Sequence, residues 1–180
     1  MHDRRFPGHP DALRDPRRVS LMEPERGVAH CLAHAKIRTM LDVGSGSGLF
    51  TERFAARGLA VGALDVNPKM IRSTRHHVPE ACLALALAEV MPFADDAFDL
   101  VLISHVLHET DNRVRTLREA HRVAGQRVAV LEWPSWLEQD GPPVHHRLSV
   151  EEVCEMAASA GFRDRRVITL EAMELYLLNV

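Results

Sequence analysis

A short apolar stretch that runs directly into three alternating glycines constrains the fold of this chain more than any other feature. The stretch is Thr39-Met-Leu-Asp-Val43, which is typical of a buried strand, and it continues into Gly44-Ser-Gly-Ser-Gly48. Residues 49–57 then form an amphipathic helix pattern that Gly58 ends. Glycines at alternate positions let the backbone turn sharply and approach a ligand closely, because no Cβ intervenes. The order strand, glycine turn, helix predicts the first unit of an α/β sheet with a ligand at the turn.

Strand and helix patterns continue to alternate along the rest of the chain. Strand patterns cover residues 59–64, 81–86, 98–103 and 127–132, and helix patterns cover residues 19–35, 67–77, 111–123 and 149–161. Two final strands, 163–170 and 173–179, have only a tight connection, so they form a hairpin in which one strand runs antiparallel. We therefore predict a Rossmann-like, doubly wound, mostly parallel seven-stranded sheet with an antiparallel C-terminal hairpin strand and helices on both faces.

Length and charge limit the organisation of the chain and its partners. At 180 residues it has the size of one domain, and we expect a single domain over residues 1–180. Residues 1–18, rich in Pro, Arg and Asp, are expected to be a flexible or loosely docked arm. The formal net charge of −3 gives no broad basic surface, so no nucleic-acid partner is expected.

Cysteine usage and hydropathy indicate a cytoplasmic protein. The three cysteines are odd in number and widely spaced, which suits neither a disulfide framework nor a metal knuckle. The N-terminus has no apolar segment of the signal-peptide type, and no apolar run approaches the roughly 20 residues that span a bilayer. We expect no membrane span.

The spacing of the glycines separates the classes of ligand. Asp65 ends the second predicted strand, where a carboxylate can accept hydrogen bonds from both hydroxyls of a ribose. The pattern here is G-x-G-x-G, whereas the dinucleotide fingerprint is G-x-G-x-x-G, and the Gly-Lys-Ser/Thr of a P-loop is absent. A nucleoside-containing ligand other than a dinucleotide is indicated. A tight turn with no ligand stays open as the alternative.

Six stretches in order along the chain resemble one family. They are residues 41–48, 62–70, 89–101, 104–108, 117–122 and 151–162. With these stretches the chain resembles the class I S-adenosylmethionine (SAM)-dependent methyltransferases. It is similar to their small-molecule branch, which includes the ubiquinone/menaquinone-biosynthesis type. The resemblance implies SAM as cofactor and S-adenosylhomocysteine as product.

The resemblance also implies two groups of cofactor-binding residues. The methionine part of SAM would meet Asp42, Gly44, Ser45, Gly46, Gly48, Ser104 and His105. The nucleoside part would meet Asp65 through the ribose and Val66, Met70, Leu87, Ala88 and Glu89 around the adenine.

Leu87 departs from the family pattern. Family members usually carry an acidic residue five positions before the Pro of the Pro-Phe pair, where it accepts a hydrogen bond from the adenine amino group. This chain has Leu87 at that position. One such contact is worth about 1 kcal/mol net, so we expect weaker SAM binding.

Methyl transfer is an in-line displacement in which the protein mainly aligns the reactants, so a general base is optional. Side chains after the fourth and fifth strands are candidates for a part in the chemistry: His105, His108, Glu109, Glu132 and Trp133. A histidine titrates near neutrality, which makes His108 and His146 candidates for a base; loop histidines satisfied by backbone groups are the alternative. No metal site is expected, because His105 and His108 follow a strand and do not form HExxH.

We expect transfer of a methyl group from SAM to a small-molecule or lipid-like acceptor. Only residues before Met40 and the 133–147 segment remain to shape an acceptor pocket, so it is small or is completed by the second subunit of a homodimer. Arg14, Arg17 and Arg18 cap the site in one interpretation and form a solvated tail in the other. The alternative function is a SAM-fold binding or partner protein with weakened or lost catalysis, which Leu87 favours and the intact glycine loop disfavours.

Overall fold

In the part of the chain that the computed structural model describes, residues 6–137 and 140–180, seven strands form one sheet. Their bounds are β1 Thr39–Val43, β2 Ala60–Asp65, β3 Cys82–Leu85, β4 Phe98–Ser104, β5 Ala124–Glu132, β6 Asp164–Thr169 and β7 Glu174–Asn179. The order across the sheet is β3-β2-β1-β4-β5-β7-β6. Strands β1 to β5 are parallel to one another, and β7 lies between β5 and β6 and runs antiparallel to both. The predicted fold class and the C-terminal hairpin are confirmed.

Helices lie on both faces because neighbouring residues of a strand point to opposite sides of the sheet. The helices are α1 Pro16–Met22, α2 Pro24–Leu32, α3 Leu49–Ala55, α4 Pro68–His77, α5 Arg113–Val123 and α6 Val150–Ala160. Met40 and Leu100 pack on one face with residues of the first three helices. Leu41 and Val101 pack on the other face with residues of α5 and α6.

The chain reverses its direction of winding between β1 and β4, and this reversal positions the site. From β1 the chain winds outward through β2 to β3, then returns to place β4 on the other side of β1. The carboxyl ends of β1 and β4 therefore border the crevice in which open α/β sheets bind ligands.

Several element boundaries differ from those predicted. Asn112, one residue after the predicted Asp111, caps α5, because its side chain accepts the backbone N–H of Arg115. Strand β5 begins at Ala124 directly after α5, three residues earlier than predicted, so no separate turn precedes it. Ser149 and Glu152 form a capping box at the start of α6, and Gly161 follows its last residue, which agrees with the predicted range 149–161.

The N-terminal segment runs across the glycine loop. Residues 1–5 of the predicted arm lie outside the described residues. Pro10–Arg14 form a 3-10 turn, Asp15 caps α1, and Met22 is buried. No helix in the described ranges has the length and apolar character that crossing a membrane requires.

Candidate functional site

One cavity of about 410 Å³ opens at the carboxyl ends of β1, β2 and β4. Its volume is within the range of about 300–1,000 Å³ that small-molecule sites occupy. The residues predicted for the methionine part of the cofactor that line it are Asp42, Gly44, Ser45, Gly46, Ser104 and His105. Those predicted for the nucleoside part line it as well: Asp65, Val66, Met70, Leu87, Ala88 and Glu89. Residues that are distant in the sequence thus meet at one surface.

Asp42 joins the first strand to the helix after the glycine loop. Its Oδ2 accepts hydrogen bonds from the backbone N–H and the hydroxyl of Thr51, at 3.0 and 2.7 Å. Burial raises the pKa of the Asp42 carboxyl to about 6, although the Thr51 bonds favour the charged form. The carboxyl is held in one orientation at the cavity wall.

Asp65 holds the glycine loop in position. Its Oδ2 accepts the Gly46 N–H at 3.0 Å, and its Oδ1 accepts the Asn67 N–H at 2.8 Å, just before α4 begins. Gly46 has a φ of +53°, and a Cβ there would lie 2.8 Å from Leu13 Cδ1. The positive φ favours glycine at this position, and any larger residue would also displace the end of the Leu13 side chain.

Gly48 is the predicted cofactor residue that the described cavity lining does not include. It has a φ of +78° at the N-terminus of α3, and a Cβ there would lie 3.0 Å from the Cα of Thr74. Because the neighbouring atom belongs to the backbone of α4, it cannot move aside for a side chain at position 48. This glycine therefore packs the loop against α4, and Gly44 and Gly46 face the cavity.

The predicted adenine end is more open. The side chains of Val66 and Leu87 are exposed by 41% and 43% although both line the cavity. The side-chain carboxylate of Glu89 accepts a hydrogen bond from the Asp111 backbone N–H at 3.0 Å. The backbone carbonyl oxygen of Glu89 accepts one from Arg115 Nε at 3.0 Å. The stretch that should meet the adenine edge is thus tied to the start of α5.

His105 directly follows β4, has a backbone φ of +58° and is buried at the cavity. One ring nitrogen lies 3.2 Å from the Ser104 hydroxyl oxygen, and the other lies 3.2 Å from the sulfur of Met173. Burial, with the charges of Arg18 and His108, holds the pKa of His105 well below its usual value. The cavity wall here is a neutral imidazole.

His108 lies behind the cavity and not on its described lining. Its Nδ1 is 2.7 Å from Glu132 Oε2, and its backbone N–H donates to Glu132 Oε1. Burial alone would lower the pKa of His108, but the charge and hydrogen bond of Glu132 outweigh burial and raise the pKa. The structure therefore places this predicted base one residue away from the cavity.

Glu109, the next residue, does line the cavity. Its Oε1 accepts the Phe6 N–H at 3.1 Å and lies 4.0 Å from His108 Nε2. Burial raises the pKa of the Glu109 carboxyl to about 7, opposed by the His108 charge and the Phe6 hydrogen bond. A carboxyl that titrates near neutrality can accept a proton from a bound ligand.

His146, the other predicted base, lies in the short 3-10 turn Val144–His146, where its ring contacts His145. The described cavity lining does not include it. Nowhere in the described ranges do three or more His, Cys, Asp or Glu side chains meet in a way that could hold a metal ion.

The N-terminal segment contributes Phe6, Leu13, Arg18 and Met22 to the cavity lining. The sequence signalled only the arginine, because the apolar residues form no motif. The Arg18 guanidinium lies 5.7 Å from the centre of the Trp133 ring. Of the two segments expected to shape an acceptor pocket, the N-terminal one lines the cavity. No described residue of the 133–147 segment is in the lining, and this segment meets Arg18 through the Trp133 ring.

Comparison with known proteins agrees with this site. A family model described as a methyltransferase domain matches residues 41–128. An uncharacterized methyltransferase of Mycobacterium bovis is 33% identical, over 67% of this chain and 55% of its own length. A ubiquinone/menaquinone biosynthesis C-methyltransferase of Methylococcus capsulatus is 30% identical, over 70% of this chain and 56% of its own length. The chain spans about half the length of these curated relatives.

The fold has solved counterparts. A SAM-dependent methyltransferase from Aquifex aeolicus superimposes with a TM-score of 0.83 at 23% identity, covering 96% of this chain and 99% of that one. The family match covers the glycine loop, Asp65 and the segment around Glu109, which are the parts that build the cavity. The chain belongs to the class I S-adenosylmethionine-dependent methyltransferases.

Proposed function

We propose that this protein binds SAM in the cavity at the carboxyl ends of β1, β2 and β4 and transfers its methyl group to a small-molecule acceptor. One observation carries the proposal: twelve of the thirteen predicted cofactor residues line a single cavity whose wall also holds Glu109 and Arg18. The ubiquinone/menaquinone relative, named as a C-methyltransferase, supports the small-molecule class. A cytoplasmic location and a homodimer stay predictions.

The residues present fit the cofactor. Gly44 and Gly46, with φ of +70° and +53°, form the part of the loop that lines the cavity, and the Asp65 carboxylate at the end of β2 is bonded to it through the Gly46 N–H. SAM, when bound, supplies a methyl group on a positively charged sulfur. The chain would hold the ribose hydroxyls with Asp65 and orient the methionine part against Asp42 and the loop. Phe6 and Met22 would exclude water from the acceptor side.

Titration calorimetry with SAM and with S-adenosylhomocysteine tests the cofactor assignment. We expect binding by the parent protein, and at least a tenfold loss in Asp65→Ala, because this carboxylate both meets the ribose and orders Gly46. Glu80→Ala is the matched control, since Glu80 is exposed and remote from the lining. Equal affinity of Asp65→Ala and the parent would contradict the assignment.

The alternative, a binding protein that has lost catalysis, is favoured by Leu87, which presents an apolar side chain at the predicted adenine end. Detection of S-adenosylhomocysteine formed from SAM in the presence of candidate acceptors separates the two. Binding of SAM without formation of S-adenosylhomocysteine, with acceptors that carry O–H, N–H, S–H and acidic C–H groups, would support the alternative.

A further inference from the structure

Glu109 and Arg18 line the same cavity from different elements, Glu109 from the segment after β4 and Arg18 from α1. The Glu109 side chain is 22% exposed, and the Phe6 N–H fixes its Oε1 at 3.1 Å. The Nε of Arg18 is buried and has no hydrogen-bond partner among the described residues. A fixed carboxyl and a guanidinium with an unpaired Nε–H donor thus line one cavity.

Resting on the proposed function, we propose that Glu109 is the catalytic base and that Arg18 stabilises the oxyanion it creates, so that the acceptor is a compact phenol. The phenolic O–H lies between the two side chains, and its ring packs on Phe6, Met22 and Phe50, which line the same cavity. The cavity of about 410 Å³ also has to hold the cofactor, which limits the acceptor to a small ring.

The step balances without any further reactant. A Glu109 carboxylate oxygen takes the proton of the phenol as the phenolic oxygen forms a bond to the methyl carbon. The bond from that carbon to sulfur breaks, and its electron pair stays on sulfur. The products are the methyl ether, S-adenosylhomocysteine and protonated Glu109, which returns its proton to solvent when the products leave.

The acidity of the acceptor's hydroxyl distinguishes a phenol from an aliphatic alcohol as the acceptor. Proton transfer is most effective when the base and the acid have similar pKa values. The pKa of Glu109, raised to about 7 by burial, is closer to that of a phenol, about 10, than to that of an aliphatic hydroxyl, about 16 as for water. The charged or polar groups that act on Glu109 are Arg18 from α1, Phe6 N–H, Asp65 from β2, Glu132 from β5 and the adjacent His108.

The neighbouring histidine does not take this role. The Nδ1 of His108 is hydrogen-bonded to Glu132, and its Nε2 lies 4.0 Å from the Glu109 carboxylate. His108 itself is not among the described lining residues of the cavity. His108 is therefore a positioning residue whose charge favours the ionised form of Glu109.

The first test measures ionisation of a bound probe and needs no turnover. Protein saturated with S-adenosylhomocysteine is titrated with 4-nitrophenol, whose phenolate absorbs visible light. We expect the phenolate of the bound probe to appear at least about one pH unit lower than that of the free probe, because Arg18 stabilises it. Arg18→Gln should abolish the shift and Arg163→Gln, an exposed arginine, should keep it. No binding of the probe, or an unchanged shift in Arg18→Gln, overturns the proposal.

The second test separates a base from a structural residue. Methyl transfer to 4-methylphenol should fall at least about 100-fold in Glu109→Gln, and transfer to the more acidic 4-nitrophenol should fall much less. A structural role would lower both equally and would overturn the proposal, as would transfer to benzyl alcohol or benzylamine at the rate for 4-methylphenol. Glu155→Gln, an exposed site on α6, is the control.

S-adenosylhomocysteine binding within about threefold of the parent shows that each variant is folded. The same measurement distinguishes the two proposals. Intact cofactor binding with failure of both phenol tests removes the acceptor assignment alone, whereas absence of cofactor binding by the parent removes the proposed function.

Discussion

At the scale of single residues, the site combines groups that stabilise the fold with groups that cost stability. Asp65 accepts two backbone N–H groups and so orders the loop that it serves. Asp42 and Glu109 are buried carboxyls whose pKa values are raised to about 6 and about 7, which means that the fold disfavours their charged forms. Raised pKa values of this kind are typical of functional sites.

Replacing Leu87 by aspartate should tighten SAM binding. Leu87 lines the predicted adenine end and is 43% exposed, so a carboxylate there has space and solvent access. A new hydrogen bond worth about 1 kcal/mol corresponds to roughly a fivefold lower Kd in calorimetry. Val90→Asp, at a residue exposed by 52% outside the lining, is the control. An equal effect of both variants would argue for a general charge effect.

The pKa of Asp42 predicts a pH dependence of stability. The folded value of about 6 is above the ordinary value of 3.8, so the folded state binds more protons and its stability falls as pH rises from about 4 to about 6. Asp42→Asn keeps an acceptor for Thr51 and removes this cost, which amounts to up to about 3 kcal/mol above pH 6. Urea unfolding of both proteins at pH 4 and pH 7.5 measures the difference. A difference in unfolding free energy between the two proteins that is no larger at pH 7.5 than at pH 4 would contradict this explanation.

The same variant should bind SAM more weakly, because the carboxylate at this position faces the methionine part in the proposed complex. Gain of stability with loss of affinity is the expected combination. A stabilised protein with unchanged SAM affinity would remove Asp42 from the binding residues.

At the scale of elements, the N-terminal segment is anchored by one arginine. Arg14 donates from Nη2 and Nε to the Ser47 carbonyl oxygen, at 3.0 and 3.3 Å, and from Nη1 to Glu52 at 2.8 Å. These bonds connect the 3-10 turn to both the glycine loop and α3. The segment that carries Leu13 and Arg18 to the cavity is thereby held on the loop.

Arg14→Ala should therefore speed the release of S-adenosylhomocysteine. Losing the contacts to Ser47 and Glu52 frees the turn, and we expect the dissociation rate to rise about three- to tenfold with a small change in unfolding free energy. Stopped-flow displacement measures the rate. Arg17→Ala is the matched control, because Arg17 is an exposed neighbour that pairs with Asp140 away from the loop. Equal rates in the two variants would show that the anchor does not govern release.

Features that depend on residues close together in the sequence were predictable, and features that depend on distant residues were not. The glycine loop, Asp42 and Asp65 were predictable because one strand, one turn and the next strand place them, and the hairpin followed from a short connection. Glu109 instead meets Phe6 across 103 positions, and no local pattern encodes that contact. His108 was preferred as a base for its ordinary pKa, whereas its hydrogen bond to Glu132 depends on the pairing of β4 with β5.

At the scale of the whole molecule, the cavity depends on both hydrophobic clusters. Leu64 and Val43 belong to the cluster on one face, and Met22 and Phe50 belong to the cluster on the other. Leu64, Met22 and Phe50 also line the cavity, so a ligand there contacts elements from both sides of the sheet. The far edge of the sheet, β6, borders only β7 and contributes nothing to the described lining. Ligand binding should consequently tighten one end of the molecule more than the other.

Hydrogen exchange with and without S-adenosylhomocysteine tests this distribution. A ligand at 100 times its Kd adds about 2.7 kcal/mol to the free energy of global unfolding. This increase slows exchange only of those amides that exchange through global unfolding. We expect amides of residues 10–22, 44–48 and 86–89 to exchange by local opening, so ligand contact should slow them. Amides of β6 that exchange by local fraying should not change. Asp65→Ala at the same ligand concentration is the control, since it should remove the protection. Protection confined to 44–48 would show that the N-terminal segment does not close on the ligand, because a wall that contacts the bound molecule has to lose its own opening motions when the molecule is present.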